Sequence, residues 1–353
     1  MNFGRHPYRT VSLLIVAVMA FWALVGYGLI LVWDKVFGPQ APTSLPSPWP
    51  SAGGSAVRTV PLPTGEMVAA LPARTAADAL CTAIPEQTWS KLLGGPIALE
   101  VDVFGYCHVV TATLSLDVHP VDAKPFTTGA TKPVRVGGHD AILAADEGQT
   151  IATLFVTVAR TSAVPGMVYP MLDFDLTEDF RADSGRDLVA MVQAVGDAVV
   201  PAVTAPGLPL PPITAAAGEL PPREVGGVPG FGIADSAYPM AAWQLCTQLA
   251  KALSVPIAET KPKANGACDT VRTQAAFATA SYVPPTFREQ EESWPDTVAG
   301  RPARFDGDGG VEVKLRDDSN QSVRIFYSVA RSNDQRRDVQ DFAELVLPPL
   351  LGR

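Results

Sequence analysis

Val110-Thr111-Ala112-Thr113-Leu114-Ser115-Leu116-Asp117-Val118 decides how this chain folds. Apolar side chains take every second place and polar ones fill the gaps. Successive side chains of a strand point to opposite faces, so the stretch reads as a half-buried β-strand. Such a strand needs an apolar layer on one side, and its flanks supply candidates. Leu80-Cys81-Thr82 lies in a helical context upstream, with Thr75 as its candidate N-cap. Pro85 restarts that helix, and Gly94-Gly95 ends it. Residues 149–160 read as a further strand, and Leu188, Met191, Val192, Val195 and Val199 fall on one helical face.

The same order of signals returns later in the chain. Leu245-Cys246-Thr247 answers Leu80-Cys81-Thr82, and Cys268 answers Cys107 ahead of a strand. Val136-Gly137-Gly138-His139-Asp140-Ala141 is matched by Val298-Ala299-Gly300-Arg301-Pro302-Ala303. Val156-Thr157-Val158-Ala159-Arg160 is matched by Tyr327-Ser328-Val329-Ala330-Arg331. Each half then closes on an amphipathic helix, the second carrying Val339, Phe342, Ala343, Val346 and Leu347 on one face. The sequence therefore predicts a tandem pair of α+β domains, at 75–200 and 241–353, each an antiparallel sheet packed by helices.

The segments outside these domains carry their own signals. Residues 10–33 are free of charge between Arg9 and Asp34, and a helix of that length spans a hydrocarbon core of about 30 Å. The reading is a single transmembrane helix at 11–33 after a cytoplasmic tail at 1–10. Arg5 and Arg9 precede it, so the N-terminus is expected in the cytoplasm and the bulk of the chain outside. A cleaved signal peptide fits less well, because its apolar region is about 7–15 residues and a small-residue site follows. Residues 34–74 read as a Pro-rich stalk and 201–240 as a Pro-rich linker, since proline fixes φ and removes a donor. That linker is expected to let each domain fold alone while its prolines limit slack.

Four cysteines divide evenly between the halves. An extracytoplasmic location favours their oxidation. The simplest of the three connectivities pairs Cys81 with Cys107 and Cys246 with Cys268. No CxxC spacing occurs and the second half lacks histidine, which disfavours a tetrahedral zinc site. The net charge of −9 argues against nucleic acid or an anionic lipid surface as the main partner.

A helix-borne cysteine, a partner cysteine before a strand and a V-x-G-x-x-A strand start, behind an anchor and a Pro-rich stalk, resemble the DUF3558-type domains of actinobacterial envelope proteins. The pattern is similar, more loosely, to LpqN-like lipoproteins and to the extracytoplasmic sensor domains of mycobacterial receptor kinases. The resemblance implies an antiparallel sheet packed by helices and a cell-envelope location, and it implies no catalytic residues.

Candidate chemistry is sparse. His108, His119 and His139 all fall in the first half, and an acid–base role would need partners that converge on them. There is no G-x-S-x-G elbow and no phosphate-binding glycine loop. Ser184 reads as a helix cap, and the Asp306/Asp308 turn lacks the ligands of a calcium loop. No metal, cofactor or catalytic set is predicted. Aromatic residues are the better lead for binding: residues 282–294, with Tyr282, Phe287 and Trp294, read as a loop of rings and charges that contacts a partner. The expected function is that of a non-enzymatic, membrane-anchored, extracytoplasmic binding or accessory protein. Its partner would be another envelope protein or an envelope lipid or glycan. The alternatives are a hydrolase of envelope material using the first-half histidines, or a stalked spacer.

Overall fold

Two antiparallel sheets form, each from its own half of the chain. The computed structural model describes residues 54–351 except 103, 122–129, 147–149, 160–168, 180–184, 208–231, 264–265, 271–275, 284–292, 307–308, 318–320 and 330, and of 276–283 only the backbone. The first half runs through β1 (Ser55–Ala56), α1 (Ala73–Cys81), α2 (Glu86–Leu92), β2 (Ala98–Val101), β3 (Cys107–Val110) and β4 (Leu114–Val121). It continues through β5 (Ala130–Val136), β6 (His139–Ala145), β7 (Ile151–Thr157), β8 (Met171–Glu178) and α3 (Leu188–Val203). The second half runs through α4 (Tyr238–Leu253), β9 (Thr260–Pro262), β10 (Cys268–Thr270), β11 (Ala276–Val283), β12 (Asp296–Val298), β13 (Arg301–Asp306), β14 (Gly310–Lys314), β15 (Ser322–Val329) and α5 (Gln335–Val346). The fold is α+β, with large antiparallel sheets and few helices.

The first sheet has the order β1-β2-β3-β4-β8-β7-β6-β5, and the second β12-β13-β14-β15-β11-β10-β9. Taken from β9, the second sheet retraces the first from β2 onward. Turns repeat as well. Gly137 and Gly138 join β5 to β6 at φ 55° and 86°, and Ala299 and Gly300 join β12 to β13 at φ 50° and 72°. Positive φ at both central residues gives a tight turn whose twist matches that of the strands.

The deciding stretch turns out to be two strands rather than one. The Thr111 hydroxyl accepts hydrogen bonds from the backbone N–H groups of Thr113 (3.2 Å) and Leu114 (2.8 Å), and this turns the chain between β3 and β4. Alternation survives on either side. Val109, Leu116, Val118, Leu154, Leu172, Phe174 and Leu176 are fully buried on one face, under Leu80, Val192, Val195 and Val199 of the helices. Trp89 of α2 joins them and donates its indole N–H to the Cys81 carbonyl at 3.1 Å. In the second half Val311, Val313, Val323 and Ile325 pack under Leu245, Leu249, Val339, Phe342 and Val346.

Gly196 lets α3 lie close on its sheet. A Cβ there would stand 2.6 Å from Leu154 Cδ2 and 2.8 Å from Val136 Cγ1. Gly196→Ala gains about 1 kcal/mol of helix propensity but overpacks a filled core, at a cost of about 1–3 kcal/mol. A net drop in the urea midpoint is expected; a rise would mean that the interface yields freely.

Both disulfides tie the leading helix of a half to its sheet. Cys81 joins Cys107 and Cys246 joins Cys268, each with Cα atoms 5.3 Å apart. Among the described residues no cysteine is free.

Several sequence expectations shift at the edges. Part of the span read as stalk belongs to the fold: β1 pairs with β2, and Val60 and residues 68–71 are buried. Prolines 61, 63 and 72 interrupt hydrogen bonding there, but the apolar residues between them still find a core. The span read as linker loses both ends, since α3 runs through Pro201 to Val203 and α4 starts at Tyr238. Thr75 does not cap α1, which starts at Ala73 after Pro72. Asp187 caps α3, accepting from the Ala190 N–H at 2.9 Å. Residues 10–33 lie outside the described residues, among which no helix is long and apolar enough to cross a membrane.

A buried polar junction holds the halves together. Asp78 of α1 is fully buried, accepts from the Arg58 N–H at 2.9 Å, and lies 3.5 Å from the Arg58 and Arg74 guanidiniums and 4.0 Å from that of Arg316. Asp235, just ahead of α4, pairs with Arg58 and with Arg316 at 3.1 Å and accepts from the Thr75 hydroxyl at 3.0 Å. Gln321 donates to the Ala234 carbonyl at 2.8 Å. The two halves thus meet through a shared polar cluster.

Candidate functional site

The helices cover one face of each sheet, and the opposite face of the first sheet carries its chemistry. Strand register places the groups. His108 on β3 stands opposite Asp117 on β4, Asp117 stands opposite Asp175 on β8, and His119 stands opposite Asp173. These residues alternate with the core positions, so all of them point away from the helices. The loop before β3 adds aromatic rings. Asp102 Oδ1 accepts from the backbone N–H groups of Phe104 (2.9 Å) and Tyr106 (2.8 Å), and this bends the loop over the sheet. Tyr106 then stacks on His119 with ring centroids 3.7 Å apart.

Side-chain exposure falls from 36% at Asp117 through 21% at His108 and 15% at His119 to 9% at Asp173. The site thus grades from a wet rim to a dry floor. His108 Nδ1 is 2.5 Å from Asp117 Oδ1, and this bond raises the His108 pKa against the opposing pull of burial. His119 is different: burial pushes it down to about 4, with the Asp117 charge pulling the other way. Asp173 is pushed up to about 7, first by burial and then by the charges of Asp175 and Asp117. Asp175 is also raised, by burial and by Asp117, while the Thr153 hydroxyl at 3.4 Å works against that. His119 Nε2 and Asp173 Oδ2 lie 4.0 Å apart, whereas His119 Nδ1 and Asp173 Oδ1 are buried without a hydrogen-bond partner.

The two buried groups act on stability in opposite directions. His119 binds its proton more readily unfolded, so it raises stability as pH climbs from about 4 to 6.5. Asp173 holds its proton more tightly when folded, so it lowers stability as pH climbs from 3.8 to about 7. The two offset in the shared window. Asp173→Asn removes one opposing slope, so the variant's urea midpoint should climb more steeply with pH than the parent's between about 4 and 6.5. Superimposable pH curves for parent and variant would show that Asp173 titrates as an exposed carboxyl does.

The second sheet fills the matching face differently. By register, Asp269, Thr279, Ser281, Phe326 and Arg324 take the places of His108, Asp117, His119, Asp175 and Asp173. Ion pairs cross this face: Arg304 with Glu312 at 2.6 Å and Arg324 with Asp306 at 2.5 Å. The Arg324 guanidinium lies 4.6 Å from the Phe326 ring centre, and that of Arg304 lies 5.0 Å from the Trp294 ring.

The sequence-derived site residues are dispersed by this arrangement. His108 and His119 come together, while His139 instead bonds the Thr157 carbonyl and the Thr204 hydroxyl, both at 3.1 Å. Tyr282 lies on β11 opposite Val323 rather than in a loop, because the strand runs on to Val283. Trp294 is half-buried beside Arg304, and Phe287 lies outside the described residues. Sequence reading missed Asp173 and Asp175. Leu172-Asp173-Phe174-Asp175-Leu176 does alternate, but nothing local announces that its carboxylates face His119 and Asp117. Among the described residues no group of three or more His, Cys, Asp or Glu side chains is placed to hold a metal ion. What the face offers is hydrogen-bond acceptors, one neutral histidine and a carboxyl that holds a proton near neutrality.

Comparison with protein-family models, with curated proteins and with solved structures finds no match for the chain.

Proposed function

We propose that this chain is a single-pass, membrane-anchored, extracytoplasmic binding protein of the cell envelope, built from two copies of one α+β domain. On this reading the helix-free face of the first sheet is its recognition surface. The observation that carries the reading is the pair of buried polar atoms, Asp173 Oδ1 and His119 Nδ1, left without partners beneath an aromatic rim. Buried polar groups are normally satisfied, and an unsatisfied one costs about 1–3 kcal/mol. A ligand that bonds to them recovers that cost. The apolar, uncharged run at 10–33 with Arg5 and Arg9 before it supports the anchor and its orientation, and the two disulfides suit an oxidising compartment.

A crosslinking pull-down from membranes, with the full chain, tests both parts. Protease added outside spheroplasts should remove the epitope of a C-terminal tag. Capture of the envelope component should fall in Tyr106→Ala and Asp117→Ala and persist in Asp341→Asn, on the exposed side of α5. Equal capture by all four chains would remove the first sheet from recognition.

A further inference from the structure

We infer that the helix-free face of the first sheet takes an organic cation: a guanidinium or alkylammonium group carried on an apolar stem. The inference rests on that face being the binding surface. Among the described residues, the acidic groups near Asp173 on this face are Glu100 on β2, Asp102 in the loop before β3, Asp117 on β4, and Asp175 on β8. Among the described residues of β2, β3, β4, β7 and β8 its basic groups are His108 and His119, while farther along the sheet Arg135 on β5 pairs with Asp140 on β6 at 3.2 Å. β2, β3, β4, β7 and β8 contain no lysine or arginine.

Some of this acceptor capacity is already used within the chain. His108 engages Asp117, and Asp102 caps its own loop. Asp173 and Asp175 differ: they are two residues apart on one strand, so their carboxyl groups share a face and repel. Asp173 is 6% exposed with Oδ1 unpartnered, and the Thr153 hydroxyl reaches Asp175 only at 3.4 Å. His119 between Asp117 and Asp173 is held neutral by burial and does not supply the missing charge.

A cation set between the two carboxylates relieves their repulsion and fills the empty acceptor in one step. An anion would deepen the repulsion. A neutral hydroxyl would fill the acceptor and leave the repulsion in place. The rings complete the match, because Phe104 is 53% exposed beside Tyr106 and a cation is attracted to an aromatic face.

The second sheet shows the completed arrangement built from the chain itself. At the register position of Asp173 it places Arg324, whose guanidinium engages the Asp306 carboxylate and lies over Phe326. Guanidinium, carboxylate and ring are all present there. In the first sheet the carboxylates and rings are present, and the cation is the part a ligand brings.

Calorimetric titration of the full chain in neutral-detergent micelles tests this, with agmatine, butylammonium, butanol and butyrate as probes. An arginine-bearing tripeptide amide, blocked at both ends, serves as a fifth probe. Agmatine and butylammonium should bind, and butanol and butyrate should not. Tight binding by the tripeptide would assign the cation to a partner's side chain, and tight binding by agmatine to a free small molecule. Binding at pH 7 should release protons as Asp173 ionises, so the apparent heat will depend on the buffer. Asp175→Asn should weaken agmatine by about tenfold or more, the scale of one charge-assisted hydrogen bond. Asp173→Asn, isosteric with the protonated side chain and safe to fold, should abolish the proton release. Butanol binding as tightly as butylammonium, or full affinity in Asp175→Asn, would overturn the inference. If no cation binds but Tyr106→Ala still loses capture from membranes, the recognition face stands and the ligand class is wrong. If capture is also unchanged, both fail.

Discussion

Asp78→Ala should destabilise the folded chain by about 3–5 kcal/mol, the range seen when one partner of a buried ion pair is removed. Asp78 is fully buried and is approached by Arg58, Arg74 and Arg316. Burial alone pushes its carboxyl pKa up, while the Arg58 N–H and the three guanidiniums favour the ionised form. Removing the carboxylate leaves buried positive charge facing positive charge. Pairing Asp78→Ala with Arg316→Met should recover part of the loss, because the double variant buries fewer unmatched groups. The same experiment reads the coupling of the two halves. Trp89 reports on the first core, and Trp243 lies on α4 of the second half. With a shared junction, both signals move to lower denaturant together in Asp78→Ala. A second-half transition that stays where it was in the parent would show the halves to be independent after all.

How much of this was legible in the sequence depended on how local the cause was. Helical faces such as Leu188, Val192, Val195 and Val199 are fixed by spacing of three and four residues, and they are buried as spaced. The cysteine pairing was legible because the spacing repeats. The Val110–Val118 stretch misled because a threonine turn can sit inside an alternating pattern without breaking it: Ala112 keeps the apolar beat while Thr111 bends the chain. The junction was illegible for a different reason. Arg58 meets Asp235 across 177 residues, and no periodicity encodes such a pairing. The candidate site shares that cause. β4 pairs with β8 rather than with its successor in sequence, and only this crossover sets His119 against Asp173. Its groups also break the rule that made the rest readable, since they are polar side chains buried on the face where polar residues are expected to be wet.

Breaking Cys81–Cys107 and breaking Cys246–Cys268 should have similar effects on stability and different effects on binding. The bridges span 26 and 22 residues, which in the chain-entropy account gives about 3.5 kcal/mol each. Replacing each pair by alanine should therefore lower the stability of the full chain by comparable amounts. The consequences for the site diverge because of where the first bridge ends. Cys107 follows Tyr106 and precedes His108, so this bond anchors the strand start that carries the aromatic stack and the first His–Asp pair. Without it, β3 is held by its ladder to β2 and β4 alone. Cys268 sits at the register position of Cys107, but its neighbour Asp269 pairs with Lys263 and serves no ligand in this account. Cation affinity measured under conditions where both variants stay folded should then fall in the Cys81→Ala/Cys107→Ala chain and hold in the Cys246→Ala/Cys268→Ala chain. Equal affinity in the two would detach the site from the β3 strand start. Non-reducing peptide mapping provides the prior check, because a bond between the halves or four reactive thiols would remove the premise.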